Sequence, residues 1–205
     1  FYVAWDDTCF YFAYGGSDGD LANADFFVYL QTSSVTASDS TYTTINWGGY
    51  GTHTLPFGAN YAIAVENGNW AEFQRASSGS WTNISNNSIV DSSFYGGWSD
   101  VKRTEFRINW FAFGGKPTSL KVVAFHQYEN ASNVYNSFPT GNTADNQTNV
   151  IFTKYYSWSD MTDTVAPNSG VPINNAPTVS IVAPTAGSET TGTVRFSWSF
   201  SDADG

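Results

Sequence analysis

Aromatic side chains outnumber charged ones in this chain, and that ratio constrains the fold more than any other feature of the sequence. The 205 residues include 8 Trp, 12 Tyr and 16 Phe, while charged residues make up only 13%, against roughly 25% in an ordinary soluble domain. A surface helix presents charged, long side chains to solvent, whereas Ser, Thr, Asn and Gly are the abundant polar residues here. The composition therefore predicts an all-β, extracellular protein: an antiparallel β-sandwich, jelly-roll-like, with hydroxyl and amide groups on its surface.

Strand-like segments recur along residues 1–158 and are separated by Gly, Asn, Asp and Ser. Apolar and polar residues alternate over 69–75 and 104–110, which is the period of a half-buried strand. Residues 25–32 are apolar toward both faces, which predicts a central strand. Further strands are predicted at 1–5, 9–15, 60–66, 70–76, 80–83, 94–98, 119–128 and 150–158. We therefore expect one sandwich of about ten strands over residues 1–158.

The composition changes after residue 158. Residues 159–176 contain two prolines and lack aromatics and periodicity, which predicts a linker. Residues 177–205 contain two alternating strands and are interpreted as an incomplete Ig-like segment. Two strands cannot bury a core, so their apolar side chains are expected to pack on residues 1–158, on another copy of the chain, or on downstream sequence. These assembly candidates are Val179, Ile181, Val194, Phe196, Trp198 and Phe200.

The net charge of −10 disfavours two classes of partner. Nucleic acid requires a basic patch that displaces phosphate counterions, and anionic lipid likewise attracts basic segments. No apolar run approaches the roughly 20 residues of a membrane span, so no membrane insertion is expected. The single cysteine, Cys9, is either a small buried apolar residue or an intermolecular bridge. The abrupt start at Phe1 indicates a chain processed or excised from a longer precursor.

Several motifs carry a family resemblance. They are Val3-Ala4-Trp5-Asp6-Asp7-Thr8, Phe10-Tyr11-Phe12, Asp25-Phe26-Phe27-Val28-Tyr29-Leu30-Gln31-Thr32 and Thr104-Glu105-Phe106-Arg107-Ile108. Together they resemble carbohydrate-binding module family 9 and the related DOMON-type sandwiches over roughly residues 1–158, and the resemblance implies a sandwich fold and a carbohydrate ligand. Two features depart from the family pattern: Gln31 stands where the family usually has Asp, and the strands that normally precede the first motif are absent. Residues 177–205 resemble the opening strands of a bacterial Ig-like surface repeat.

Four aromatic residues lie in segments rich in Gly, Ser and Asn, away from the clearest strands. They are Trp47, Tyr50, Trp81 and Trp98. A tryptophan exposed on a loop is costly without a purpose, and a flat aromatic face can stack on a sugar ring. The same side chains can instead anchor loops in the core or contact another protein. These four residues are the candidate ligand-binding residues.

Three acidic residues are candidates for a calcium site. Asp18, Asp20 and Asp25 lie close together beside Gly15 and Gly16, and calcium takes six to eight oxygen ligands from loops of this kind. The spacing is not that of an EF-hand, which requires a Glu at its twelfth position. The alternative interpretation is that these are ordinary loop acids. Calcium is the one cofactor that the sequence suggests.

Enzymatic activity is not expected. Glycoside hydrolysis requires two carboxylates that converge on one bond, and the spacing of the five glutamates suggests no such pair. Two functions remain open. The first is a non-catalytic, extracellular or cell-surface module of a larger secreted protein that binds a glycan or polysaccharide. The second is a structural subunit of an extracellular filament or surface layer, assembled from copies of the chain by strand donation.

Overall fold

A computed structural model describes residues 1–15, 24–33, 37–67, 70–86, 90–95, 103–128, 131–162, 178–183 and 197–201. The described residues form fifteen strands and three short 3-10 turns, and no α-helix is found among them. The strands are β1 Tyr2–Trp5, β2 Cys9–Gly15, β3 Ala24–Thr32, β4 Thr41–Thr43, β5 Thr54–Ala59, β6 Tyr61–Asn67, β7 Trp70–Ser77, β8 Ser80–Asn86, β9 Val90–Tyr95, β10 Arg103–Asn109, β11 Leu120–Tyr128, β12 Val134–Phe138, β13 Tyr156–Trp158, β14 Thr178–Ala183 and β15 Ser197–Ser201. The 3-10 turns are Ala37–Asp39, Trp47–Gly49 and Trp110–Phe113.

Two antiparallel sheets pack face to face, so the predicted all-β sandwich is confirmed. The smaller sheet has the order β1-β2-β10-β9, and the larger one has the order β12-β11-β3-β6-β7-β8, with β13 also paired to β11. Between them lies a core of aromatic and branched side chains. Members from the smaller sheet include Phe10, Phe12 and Ile108, and members from the larger sheet include Val28 and Ile63. Alternation therefore gives each sheet an apolar inner face, as aligned sheet packing requires.

The larger sheet is also covered on its other face. Phe27 and Tyr29 of β3 and Phe125 of β11 join a second apolar cluster with Phe57 and Phe152. We call residues 41–59 and 150–152 the covering layer, because they supply most of the opposite side of this cluster. The prediction that residues 25–32 form a strand buried on both faces is confirmed: every residue of β3 is buried except Gln31, which is half-buried.

A tight turn around Asp6 joins β1 to β2. Asp6 Oδ1 accepts hydrogen bonds from the backbone amides of Thr8, at 2.6 Å, and Cys9, at 2.7 Å, while Oδ2 accepts from the Tyr11 hydroxyl at 2.8 Å. These bonds hold the pKa of Asp6 below its usual value, and the same carboxylate raises the pKa of Tyr11 to about 12. Trp110 Nε1 donates to the Asp6 carbonyl oxygen at 2.8 Å. Asp6 therefore stabilises the turn through hydrogen bonds to the backbone.

Residues 150–158 differ from the prediction of one continuous strand. Only Tyr156–Trp158 forms a strand, β13, which pairs with the start of β11. Upstream of it, the Thr54 amide donates to the Val150 carbonyl and the Phe152 amide donates to the Thr54 carbonyl, both at 2.9 Å. These contacts pull the segment into the covering layer, so its apolar residues pack without joining the sheet.

The chain divides into two compact units, Phe1–Ala166 and Pro167–Gly205. In the first unit the chain still contacts the main core at Met161, which is buried. In the second unit β14 and β15 form an antiparallel pair that sets Val179 opposite Phe200 and Ile181 opposite Trp198. The candidates Val194 and Phe196 lie outside the described residues, as does most of the predicted linker 159–176. No helix of the described residues is long and apolar enough to cross a membrane.

Candidate functional site

An open groove of about 570 Å³ lies where the ends of β3, β11 and β13 meet. Its volume falls within the range of roughly 300–1,000 Å³ that is typical of small-ligand sites. Most of the side chains that line it are polar and small. The lining residues are Gln31, Thr32, Ser33, Ser40, Tyr42, Ser119, Leu120, Lys121, Ser157, Trp158 and Ser159.

Strand register arranges six of these residues in two parallel rows. Lys121 lies opposite Gln31 of β3 on one side and opposite Ser157 of β13 on the other. Ser33, Ser119 and Ser159 lie one residue beyond these strand ends and line the same groove, and they form a second row beside the first. The Ser33 amide donates to the Ser119 carbonyl at 3.2 Å, which keeps the second row in register. The result is a polar platform on the outer face of the larger sheet, which we define by these six residues.

The covering layer supplies one wall of the groove. Tyr42 of β4 is 61% exposed, and Ser40 lies beside it. Gln31 Nε2 donates to the carbonyl oxygen of Gly58 at 2.8 Å. A Cβ at Gly58 would lie 2.8 Å from Ser40 Oγ and 3.5 Å from the Tyr42 ring. The absence of a side chain at Gly58 therefore lets Ser40 and Tyr42 pack directly against β5.

A second exposed tyrosine, Tyr155, lies near Lys121 of the platform, outside the residues that line the groove. The Tyr155 ring packs edge-on against Phe57, with centroids 5.4 Å apart. Lys121 Nζ lies 5.5 Å from the Tyr155 ring centroid, a distance at which the ring quadrupole attracts a cation. Tyr155 therefore holds the Lys121 ammonium group beside the groove.

Further hydrogen bonds hold Ser33, which belongs to the second row of the platform. Ser33 Oγ accepts from the Thr118 amide at 2.9 Å and from the Thr118 hydroxyl at 3.0 Å. The side chains of Leu120 and Trp158 point to the opposite face and are buried in the main core. The platform thus belongs to a sheet that is packed on both faces. Binding groups that are already held in place lose little conformational freedom when a ligand binds.

The sequence-predicted aromatic residues lie elsewhere on the same unit. Trp47 is half-buried and packs edge-on against Phe27, with ring centroids 5.8 Å apart. Trp81, in β8, is also half-buried; it packs against Tyr29 at 5.6 Å and donates from Nε1 to the Thr43 carbonyl at 2.8 Å. Both side chains therefore contact the second apolar cluster. This packing corresponds to the alternative interpretation, in which they anchor their segments to the core.

Tyr50 and Trp98 complete that predicted set. Tyr50 is 41% exposed, and its ring lies over Gly48, where a Cβ would come within 2.3 Å of Tyr50 Cε2. Gly48 has a φ of +60°, which a glycine adopts without steric cost. Trp98 lies outside the described residues. The structure brings Trp47 and Trp81 to neighbouring side chains of β3, and neither they nor Tyr50 line the groove.

Of the predicted metal ligands, Asp25 alone is described. It stands near the start of β3, opposite Gln127 of β11, and only 3% of it is exposed. Asp18 and Asp20 lie outside the described residues. Within the described part of the chain, no group of three or more His, Cys, Asp or Glu side chains is placed to hold a metal ion. The calcium site therefore stays a prediction.

The groove was not predicted from the sequence, although a weak signal exists. At the end of β3, the start of β11 and the end of β13, two polar residues stand two positions apart: Gln31 and Ser33, Ser119 and Lys121, Ser157 and Ser159. Such pairs are ordinary in a chain this rich in Ser. They become a site only when the register is known, because the register sets the three pairs side by side.

No protein-family model, curated protein or solved structure matches this chain.

Proposed function

We propose that this chain is a non-catalytic glycan-binding module of an extracellular or cell-surface protein, and that the groove beside Tyr42 is its binding site. The single observation that carries the proposal is the polar platform flanked by two exposed tyrosines. A sugar has hydroxyl groups around its edge and apolar C–H groups on its faces. The platform offers hydroxyl, amide and ammonium groups for the edge, and Tyr42 in the lining offers an aromatic face.

The chemistry of the lining supports binding rather than hydrolysis. Glycosidases place a pair of carboxyl groups across the scissile bond. The described residues that line the groove include no Asp, Glu or His. Apart from the Lys121 ammonium, its side-chain hydrogen-bonding groups are uncharged hydroxyls and an amide, which can select and orient a polyhydroxylated ligand.

Binding can be tested with two tyrosine variants of similar exposure. Tyr42→Ala removes an aromatic wall of the groove, whereas Tyr2→Ala removes a 67% exposed tyrosine from β1, outside the lining. Titration calorimetry with oligosaccharides identified on a glycan array should show at least about a ten-fold loss of affinity for Tyr42→Ala, since an aromatic stacking contact is worth roughly 1–3 kcal/mol in related systems. Tyr2→Ala should bind normally. The proposal is wrong if no glycan binds, or if both variants bind as the unmodified chain does.

A second candidate function is structural assembly between copies of the chain. One observation favours it: the β14–β15 register sets Val179 opposite Phe200 and Ile181 opposite Trp198. An apolar two-stranded ribbon gains stability by adding to another sheet. The carbohydrate-binding and assembly functions involve different units of the chain, so each can be tested separately.

A further inference from the structure

The groove contains one charged side chain, Lys121, among the described residues that line it. Cations are scarce in this chain, which has a net charge of −10 and only eight Lys and Arg residues, yet one of them lines the groove. Two other basic side chains lie beside carboxylates: Lys116 Nζ lies 2.6 Å from Asp7 Oδ1, and Arg75 lies 3.9 Å from Asp39. Among the described residues, no carboxylate lies within ion-pair distance of Lys121. Its charge is therefore available to a ligand.

The surroundings of Lys121 favour an anion at this point. The residue is half-buried, and the Tyr155 ring lies 5.5 Å from its ammonium group. Ser157 lies opposite Lys121 across the strand pair, and Ser119 precedes it by two residues on the same face. Serine residues therefore lie on two sides of Lys121, in a polar setting where an anionic acceptor forms stronger hydrogen bonds than a neutral one.

Gln31 is a further polar residue beside Lys121. Its Nε2 donates one hydrogen bond to the Gly58 carbonyl, which holds the amide opposite Lys121 in the strand pair and leaves its second N–H for a ligand. We propose that the groove binds an acidic glycan, and that Lys121 recognises its carboxylate or sulfate group. This inference rests on the glycan-binding function proposed above and specifies the class of ligand.

The charge of the whole protein opposes this recognition at long range. At physiological ionic strength the screening length is about 8 Å, so distant carboxylates act weakly on a ligand in the groove. Binding should therefore be compared at about 0.15 M salt, where the contact with Lys121 dominates. Under these conditions, a preference for an acidic sugar reflects contacts in the groove and not the net charge of the protein.

The test uses the full chain and matched pairs of trisaccharides. Each pair differs only at C6, which is a carboxylate in galacturonate, glucuronate or mannuronate and a hydroxymethyl group in galactose, glucose or mannose. The 6-sulfated trisaccharides form a third arm that separates the two anion types. For at least one pair we expect the carboxylate or the sulfate to bind about five-fold more tightly than the neutral sugar, the size expected for one partly screened ion pair.

Two lysine variants isolate the role of the side chain. Lys121→Gln should abolish the preference for the acidic sugar, and Lys121→Arg should retain it. Lys154→Gln makes the same change in net charge at an exposed residue outside the lining and should leave the preference intact. Circular dichroism of each variant confirms that it is folded.

The outcomes separate the two proposals. Equal affinity for acidic and neutral sugars, with Lys121→Gln unchanged, overturns the acidic-glycan inference while the glycan-binding function stands. Acidic preference that is lost equally in Lys154→Gln also overturns it, because the effect is then one of net charge. Failure of all the trisaccharides to bind overturns both proposals.

Discussion

The buried imidazole of His53 lies 3.1 Å from Gln127, with Nε2 directed at the side-chain oxygen Oε1. Its other nitrogen, Nδ1, accepts a hydrogen bond from the Val150 amide at 3.2 Å. An imidazole that accepts at Nδ1 is protonated at Nε2, so Nε2 donates to Gln127. This one side chain therefore connects both segments of the covering layer to β11, and it does so as a neutral ring.

Acidification is expected to destabilise the fold through His53. Burial lowers the pKa of His53 from 6.5, against a smaller opposing effect of the Gln127 hydrogen bond. The unfolded chain then binds more protons than the folded one below about pH 6.5. The free energy of unfolding should be at its full value above that pH and should fall as the pH decreases below it, by at most about 1.4 kcal/mol per pH unit for one proton. Urea denaturation at several pH values measures this slope.

His53→Gln provides the comparison for that slope. The variant should be less stable at pH 7.5 but should lose less stability on acidification, because the titrating group is gone. The pH interval lies above the range in which Asp6 titrates, since the pKa of that carboxyl is lowered from 3.8. An unchanged slope in His53→Gln would assign the effect to another group, such as His126, the second of the two histidines.

The sheets were predictable because their residues alternate. Apolar and polar residues alternate over 104–110, and the apolar residues at 106, 108 and 110 are buried while Arg107 and Asn109 are exposed. The covering layer was not predicted. Its buried residues, such as Ile45, His53 and Phe152, lie in segments without a period of two. Contacts such as His53 with Val150 join residues 97 positions apart, and no local pattern encodes them.

The candidate site was less predictable than the fold for a related reason. Trp47 and Trp81 are conspicuous in sequence because their neighbours are small and polar, yet both pack on the second apolar cluster. The residues of the platform are inconspicuous because Ser is common throughout the chain. Composition identifies rare side chains, whereas this groove depends on which common side chains the strand register brings together.

Trp81 provides a test of anchoring against ligand binding. Trp81→Phe keeps the ring contact with Tyr29 but removes the hydrogen bond from Nε1 to the Thr43 carbonyl. We expect the free energy of unfolding to fall by about 1 kcal/mol, and by about 2–3 kcal/mol in Trp81→Ala, where the partly buried packing is lost as well. Urea denaturation and glycan titration should be performed on both variants. A loss of glycan affinity at unchanged stability would instead support sugar stacking by Trp81.

Alanine substitutions at two glycines test the close contact between Gly48 and the Tyr50 ring. Gly48 and Gly79 both have positive φ, +60° and +76°, so alanine at either should cost about 1 kcal/mol in backbone strain. A Cβ at Gly48 also meets the Tyr50 ring, whereas a Cβ at Gly79 has no atom within 4 Å. Gly48→Ala should therefore lower the free energy of unfolding more than Gly79→Ala. Equal losses, or a difference that persists in a Tyr50→Ala background, would contradict this explanation.

Calcium binding is tested by chelation. If Asp18, Asp20 and Asp25 share a calcium ion, adding a chelator should lower the melting temperature, because the bound ion stabilises the folded chain by about 2.7 kcal/mol at a hundred times its dissociation constant. The Asp25→Asn variant should have lost this response. Asp160→Asn, a substitution at an exposed acid whose Oδ1 accepts from the Thr162 amide, should retain it. A melting temperature that does not change on chelation would support the interpretation as ordinary loop acids.

The assembly hypothesis predicts that the second unit drives self-association. Deleting residues 177–205 should leave monomers at concentrations where the full chain associates, and the added peptide 177–205 should bind to them, as strand addition requires. Analytical ultracentrifugation distinguishes the species. Ile181→Asp places a charge at a position paired with Trp198 and should prevent association, whereas Ser180→Asp, at a position paired with Ser199, makes the control for added charge. If the full chain and the deletion variant both sediment as monomers across the concentration range, residues 177–205 do not join copies of this chain, and the glycan-binding function remains as the one to pursue.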